Sequence, residues 1–374
     1  MIPYGKQSID QSDIDAVVET LKSDFITTGP KIAEFEKAVC DFTGAKFAVA
    51  VSSGTAALHS ALFAAGIKTG DEVIVTPMTF AASSNAILYC GGTPVFADVL
   101  PDSLLIDPAE VAKKITKKTK AVVAVDYAGQ PCDYDKLSNI CNEHGLLLIS
   151  DACHSIGGAY KGRKVGTLAN MTCLSFHPVK HITTGEGGMI LTDNEEFANR
   201  MRAFRGHGIT TDYHQREKKG SWFYEMVELG YNYRITDFQC ALGISQLKKL
   251  PDWIRRRQEI AAMYDSAFKN NQSILPIAQS PNTSHAYHIY VVKLLNSERN
   301  KVFTEMRAAG IGVNVHYIPV HLHPYYRKNL GTSEGICPTA EEAFKKIISL
   351  PIFPGLKDGE LKSVIAKVKE FAKA

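Results

Sequence analysis

The amino-acid sequence predicts an α/β fold: a large domain with a mainly parallel seven-stranded sheet, followed by a small C-terminal α/β domain. Between residues 46 and 192, seven short apolar runs alternate with helix-like segments, which is the pattern of strands joined by helices. These runs are too apolar to be half-exposed, so we expect the sheet to be covered on both faces. After residue 236 the alternation gives way to longer helical segments, which indicates a second domain.

The predicted strands lie at residues 47–51, 72–76, 94–97, 121–125, 146–150, 173–176 and 189–192. We place the large domain at residues 1–250, including an N-terminal segment, and the small domain at residues 251–374. The carboxyl ends of parallel strands meet at one edge of a sheet, where the active sites of open α/β sheets commonly lie.

In the small domain, Pro251 is predicted to start a long helix, because proline fits the first helical turn. An apolar stripe from Trp253 to Phe268 indicates its buried face, and the three arginines at residues 255–257 are interpreted as its solvated face. Strands are expected at residues 286–295 and 313–317. A terminal amphipathic helix is predicted from Leu361 to Phe371.

The composition excludes several classes of function. The chain has 42 basic and 39 acidic residues among 374, which gives no support to a nucleic-acid or acidic-lipid surface. The longest low-charge stretch, residues 47–66, has polar side chains in its middle and is not expected to span a membrane. Eight scattered cysteines form no Cys-x-x-Cys pair, and the amino terminus has no leader pattern, so a cytoplasmic protein with reduced thiols and no metal site is expected.

The segment from Ser175 to Gly188 reads Ser-Phe-His-Pro-Val-Lys-His-Ile-Thr-Thr-Gly-Glu-Gly-Gly and contains one lysine, Lys180. The hydroxyl of Ser175 can donate to a phosphate oxygen, and the glycines allow close approach of the backbone. A lysine amine attacks carbonyls well only when it is desolvated or lies near other positive charge. Lys180 is therefore a candidate Schiff-base residue, with a surface lysine in a glycine-rich hairpin as the alternative.

A second phosphate-binding candidate is the turn at residues 52–55, between an apolar strand and an alanine-rich helical segment. Small hydroxyl residues and Gly54 at a helix start favour an anion, because free N–H groups and the helix dipole point there. The alternative is an ordinary N-cap at Ser53 or Thr55.

The third element is Asp151, which ends an apolar run and precedes His154 by three residues. A carboxylate at this place can keep a pyridinium nitrogen protonated, which is what makes pyridoxal phosphate an electron sink. The alternatives are a helix N-cap for Asp151 and a core imidazole for His154. A lysine, an acid at a strand end and two hydroxyl-rich phosphate sites together favour a pyridoxal-phosphate enzyme.

With these residues in place, the chain resembles the fold-type I aminotransferases, and specifically the DegT/DnrJ/EryC1/StrS family, which aminates keto-sugars bound to nucleotides. The resemblance extends over almost the whole chain. It is carried by several motifs in order: Thr27-Thr28-Gly29-Pro30, residues 53–57, Thr79-Phe80, Asp151-Ala152-Cys153-His154, residues 175–180, 185–188 and 230–237, and His316-Tyr317.

The resemblance implies that Lys180 forms the Schiff base with pyridoxal phosphate and that Asp151 pairs with the pyridine nitrogen. Asn232 is implied to reach the phosphate from a neighbouring subunit, so a homodimer with shared active sites is expected. The other implied cofactor contacts are Phe80 on the ring face, His154 near the 3-hydroxyl, and Gly54, Thr55 and Ser175 at the phosphate.

Within the family, the chain is most similar to the transaminases of pseudaminic acid biosynthesis. This implies transfer of an amino group from L-glutamate to C4 of UDP-2-acetamido-2,6-dideoxy-β-L-arabino-hexos-4-ulose. Another UDP- or dTDP-keto-sugar, a sugar dehydratase of the same fold, and a non-catalytic PLP- or sugar-binding regulator are the alternatives. The implied substrate contacts are Tyr4, Asp24, Phe25, Ile26, Thr27, Arg234 of the neighbouring subunit, His316, Tyr317 and Ile318.

Two further features of the sequence bear on binding. His181 follows the lysine where members of the family often have proline, and Gly206 stands where serine is usual. The long polar segment 206–232 is rich in aromatic residues, which predicts contact with substrate or with another subunit.

Overall fold

The structure is a computed structural model that describes residues 1–211 and 220–373. Part of the predicted binding segment, residues 212–219, lies outside the described residues. The strands are β1 (Phe47–Val51), β2 (Glu72–Val75), β3 (Thr93–Phe96), β4 (Thr119–Val125), β5 (Leu147–Asp151), β6 (Ala159–Tyr160), β7 (Arg163–Lys164), β8 (Met171–Ser175), β9 (Gly188–Thr192), β10 (Ile274–Pro276), β11 (Thr283–Ser284), β12 (Tyr290–Leu294) and β13 (Ile347–Leu350).

The described helices surround these strands. They are α1 (Gln11–Leu21), α2 (Pro30–Thr43), α3 (Gly54–Ala64), α4 (Ala82–Tyr89), α5 (Pro108–Lys114), α6 (Tyr134–His144), α7 (Glu195–Arg205), α8 (Asp237–Phe268), α9 (Arg299–Ala308), α10 (Pro324–Leu330), α11 (Pro338–Lys346) and α12 (Asp358–Phe371). Short 3₁₀ helices lie at Tyr127–Gly129 and Val320–Leu322.

A seven-stranded sheet forms the centre of the molecule, in the order β1-β9-β8-β5-β4-β2-β3. Strand β9 runs antiparallel to β1 and β8, and the remaining neighbours are parallel. Four consecutive residues of β1, from Ala48 to Val51, are buried, and because successive side chains point to opposite faces, both faces are covered. The predicted mainly parallel seven-stranded sheet and the α/β fold class are confirmed.

A second hydrophobic cluster lies around the antiparallel sheet β10-β12-β13. The carboxyl-terminal part of α8 joins it through Ile260 and Tyr264, and α9 and α12 contribute Val302 and Val364. The domain boundary after residue 250 falls inside α8 and stays a prediction.

The strand predicted at residues 313–317 is wrong. Only Asn314 pairs with the edge strand β13, through a bridge to Ser349. The following residues leave the small sheet, because Val315 and Tyr317 pack against the core around the large sheet instead.

Two predictions about the long helix are also wrong. Helix α8 does not begin at Pro251 but runs through it from Asp237. Proline lacks the N–H for a helical hydrogen bond, but the side chains of Leu250 and Ile254 on either side of it are buried, and their packing compensates for the lost bond. Arg257, interpreted as solvated, is only 1% exposed. Its Nη1 donates to three backbone carbonyls, which supply the partners that a buried guanidinium needs.

The remaining features are the absence of a membrane-spanning helix among the described residues and the state of the cysteines. Across the two described ranges of the chain, no helix combines the length and the apolar character that crossing a membrane requires. All eight cysteines are free, as the sequence predicts.

Candidate active site

Asp151 is the last residue of β5, at the carboxyl edge of the parallel strands. Its Oδ2 accepts a hydrogen bond of 2.6 Å from Ser83 Oγ, and its Oδ1 accepts one of 3.3 Å from the backbone N–H of Cys153. Thr79 Oγ1 lies 2.7 Å from Ser83 Oγ and extends the network. A turn rather than a helix follows Asp151, so the N-cap alternative does not apply. The carboxylate is buried, oriented and at the predicted edge.

Lys180 lies in the turn that connects β8 to β9 and is partly buried. Burial lowers the pKa of its amine, while the nearby Cys153 and Asp151 act in the opposite direction. A lowered pKa increases the fraction of free amine at neutral pH, and the free amine is the nucleophilic form. Burial and the charge of Asp151 therefore both act on the amine of Lys180.

The predicted anion site lies at the amino-terminal end of α3. Ser53 is the N-cap, and its Oγ accepts a 3.0 Å hydrogen bond from the N–H of Ala56. The first-turn N–H groups of Gly54 and Thr55 lie outside the helix's own hydrogen bonds. A Cβ at Gly54 would lie 2.8 Å from Ser175 Cβ, so only glycine lets the helix start approach Ser175 this closely. The N-cap at Ser53 is confirmed, and it leaves the first-turn N–H groups of Gly54 and Thr55 available to an anion.

His154, Tyr317 and Phe80 form an adjoining aromatic group. Tyr317 Oη lies 3.2 Å from His154 Nε2, and the rings of Phe80 and Tyr317 are 6.2 Å apart. Burial lowers the pKa of His154 well below its usual value, so its ring is neutral. Phe80 is 62% exposed, which leaves a ring face open for stacking.

Tyr4 and His316 extend this group. Their ring centroids are 5.6 Å apart, and His316 Nδ1 lies 2.8 Å from Ser349 Oγ. The hydroxyl of Tyr127 donates to the backbone carbonyl of His316 and fixes the segment that carries it. Ile318, the last predicted contact of this segment, is exposed.

The remaining predicted contacts form a second group around the amino-terminal end of α8. The N–H of Asp237 donates to the carbonyl of Ile26, and Thr27 pairs with Thr236. Asp24 and Phe25 precede them and are exposed. Two other predicted residues come shortly before α8: Arg234, which is partly exposed, and Asn232, which is exposed and pairs through its backbone with Gly206.

Three residues that contact the site are missing from the sequence analysis. Ser83 follows Thr79 by four residues, and this pair of nearby hydroxyls was the available signal. His288, whose ring centroid lies 4.3 Å from that of His154, comes from the distant segment before β12 and gave no signal. Tyr127 sits in a short 3₁₀ helix after β4, at the same sheet edge as Asp151.

The chain is similar to known proteins over almost its whole length. A family model described as the DegT/DnrJ/EryC1/StrS aminotransferase family matches residues 7–369. The UDP-4-amino-4,6-dideoxy-N-acetyl-beta-L-altrosamine transaminase of Campylobacter jejuni (serotype O:23/36, strain 81-176) is 39% identical over 382 residues, covering 99% of both chains.

Solved structures resemble the whole chain. The sugar aminotransferase Spr1654 of Streptococcus pneumoniae in its PMP form superposes with a TM-score of 0.95 at 34% identity, covering 100% of this chain and 99% of the other. Helicobacter pylori PseC, an aminotransferase involved in the biosynthesis of pseudoaminic acid, has a TM-score of 0.92 at 32% identity, covering 99% and 98%.

Proposed function

Because this chain belongs to the DegT/DnrJ/EryC1/StrS aminotransferase family, we propose that it transfers the amino group of L-glutamate to C4 of a nucleotide-linked 4-keto-6-deoxy sugar. The proposed substrate is UDP-2-acetamido-2,6-dideoxy-β-L-arabino-hexos-4-ulose, and the product is UDP-4-amino-4,6-dideoxy-N-acetyl-β-L-altrosamine. The observation that carries the proposal is that the buried Asp151 carboxylate, at the carboxyl end of β5, acts electrostatically on the amine of Lys180. The similarity to the C. jejuni transaminase supports the choice of sugar.

The cofactor is pyridoxal phosphate, and the residues present fit it. The Asp151 carboxylate, held by Ser83, suits a pyridine nitrogen, and the helix start at Gly54 beside Ser175 suits a phosphate. The exposed ring of Phe80 suits one face of the pyridine. When bound, this group acts as an electron sink for the carbon that loses a proton.

The chain's own residues then handle positioning and proton transfer. Lys180 Nζ is the proposed base that removes the α-proton of glutamate and the acid that delivers a proton to C4 of the sugar. His154 is neutral and its Nε2 lies next to the Tyr317 hydroxyl, so it can orient this hydroxyl without adding a charge to the site. Tyr127 holds the backbone of His316, so Tyr4, His316 and Tyr317 form one wall for the sugar.

We also propose a cytoplasmic homodimer in which Asn232 and Arg234 complete the neighbouring subunit's site. Trp222 and Leu229, close to these residues along the chain, are 84% and 74% exposed. Large exposed apolar side chains grouped in this way favour a protein interface. Asp24 to Thr27 and Ile318 are proposed to contact the sugar nucleotide where the two subunits meet.

The proposal is tested with purified enzyme reconstituted with pyridoxal phosphate. Glutamate alone should convert the cofactor to its pyridoxamine form, which absorbance detects, and UDP-4-keto-sugar epimers should then give an amino-sugar identified by mass spectrometry and NMR. Lys180→Ala should abolish turnover, and unchanged turnover in this variant would contradict the assignment. Dehydration without amination would favour the dehydratase, and no product from any keto-sugar would favour a binding protein.

A further inference from the structure

Two buried side chains beside Lys180 each keep one polar atom without a partner. They are Arg257, with Nε, and His181, with Nδ1. The two residues are 1% and 3% exposed. Both line one small cavity, and Lys180 lines it too. Buried polar atoms are nearly always paired in folded proteins, so this pair needs an explanation.

The two atoms have complementary hydrogen-bonding roles. Arg257 Nη1 donates to the carbonyls of Tyr287, His288 and Ile352 at 3.0 to 3.2 Å, which fixes the guanidinium and leaves Nε–H as a spare donor. His181 Nε2 lies 3.0 Å from the carbonyl of Ala286, which can only accept, so Nε2 carries the proton. Burial lowers the pKa of His181 well below its usual value, so the ring is neutral and Nδ1 is an acceptor.

The size of the cavity matches one small molecule. The centre of a water molecule can occupy about 10 Å³ of the cavity. This volume is close to the smallest that can hold one water. The N-terminal arm, Lys6 to Ser8, forms one side of the cavity, and Gln246 Nε2 holds the arm by donating 2.9 Å to the carbonyl of Ser8.

We propose that this cavity is a binding site for one water molecule, which accepts from Arg257 Nε–H, donates to His181 Nδ1 and solvates the amine of Lys180. One water supplies both missing partners at once, because it can donate and accept. The cavity is lined by the cations Lys6, Lys180 and Arg257 and, among the residues that the structure describes, by no carboxylate, which would also suit a chloride ion. The lone pair of His181 Nδ1 repels an anion, and this favours water.

The site gives His181 a role that does not depend on which sugar the enzyme uses. His181 is a positioning residue: it acts on Lys180 through the water. The buried ammonium form of Lys180 donates a hydrogen bond to this water and is stabilised by it, so losing the water should lower the pKa of the Lys180 amine.

The first test is a high-resolution crystal structure of the holoenzyme. We expect one electron-density peak within hydrogen-bonding distance of both Arg257 Nε and His181 Nδ1. An empty cavity would overturn the proposal. So would an anomalous bromide peak at this position in crystals where bromide replaces chloride, because it would identify an anion site.

The second test uses variants of His181. His181→Leu removes the acceptor and should lose the peak, whereas His181→Asn keeps an acceptor near the position of Nδ1 and should retain it. His177→Leu is the matched control, because His177 is exposed in the same loop and does not line the cavity.

The readout on Lys180 is the pH dependence of pyridoxal phosphate incorporation into the apoenzyme, trapped with borohydride and located by peptide mass spectrometry. The midpoint should fall by about one pH unit in His181→Leu and stay unchanged in His181→Asn and His177→Leu. An unchanged midpoint in His181→Leu would overturn the solvation of Lys180 by this water. The other groups that interact electrostatically with Lys180 are unchanged in all of these variants. They are Asp151, Cys153, His154, His288 and His316.

Discussion

Gly54 offers the most direct test of the proposed phosphate site, because the structure says what a single added carbon would meet. In Gly54→Ala, the new Cβ would lie 2.8 Å from Ser175 Cβ and 3.0 Å from Ser175 Oγ. Both contacts are too short, so α3 and the end of β8 must move apart. Overpacking of this kind costs about 1–3 kcal/mol of folding free energy. The separation would also spoil a phosphate site shared by the two elements.

Two measurements separate these effects. Urea denaturation of the apoenzyme gives the loss in the free energy of unfolding, and titration with pyridoxal phosphate gives the change in affinity. We expect a dissociation constant raised at least about tenfold, because roughly 1.4 kcal/mol of lost binding free energy corresponds to that factor. Gly359→Ala is the control: this glycine lies in α12 with nothing within 4 Å of its Cβ position, so stability should stay equal or rise.

The steric reason is checked by a double-mutant cycle. Ser175→Gly removes both atoms that the new Cβ would meet, so the apoenzyme carrying Gly54→Ala and Ser175→Gly should recover most of the stability lost in Gly54→Ala alone. Purely additive losses would refute the clash. Unchanged cofactor affinity in Gly54→Ala would refute the assignment of the phosphate to this helix start.

Three further predictions concern buried polar groups. Burial lowers the pKa of His285 to about 3 from an ordinary 6.5, so the unfolded chain binds a proton first as the pH falls, and His285 should contribute a loss of about 2 kcal/mol in the free energy of unfolding between pH 6.5 and 5. Urea denaturation at the two pH values should show this loss, and His285→Asn should reduce it. Arg257→Met leaves three buried carbonyls without their donor and should destabilise by about 3–5 kcal/mol, whereas Arg255→Met, at an exposed ion pair, should change stability by less than about 1 kcal/mol in the same assay. Tyr127→Phe removes the donor to the carbonyl of His316 and should lower kcat/KM for the sugar about tenfold with little change for glutamate, which steady-state kinetics with each substrate would detect.

The large sheet and the position of Asp151 at its carboxyl edge could be predicted from the sequence because their signals are local. An apolar run that ends in Asp151, or a lysine among hydroxyls and glycines, can be recognised within about ten residues, and parallel strands bring such ends to one edge. The failures involve contacts between distant segments. Whether Arg257 faces water depends on the carbonyls of Tyr287 and Ile352, which lie 30 and 95 residues away along the chain. No periodicity in α8 encodes those acceptors.

Helix α8 connects the two groups of proposed substrate contacts, which the sequence leaves unrelated. At its start, the Asp237 carboxylate accepts hydrogen bonds from the N–H groups of Gly29 and Lys31, at 2.7 and 2.9 Å, and so holds the segment that follows Asp24 to Thr27. Further along, Gln246 donates to the carbonyl of Ser8 in the N-terminal arm, and Arg257 donates to the carbonyls of Tyr287 and Ile352. The helix is continuous over 32 residues, so these attachments have fixed spacings. One continuous helix therefore fixes the position of both groups of proposed contacts relative to each other within the subunit, although they lie far apart in the sequence.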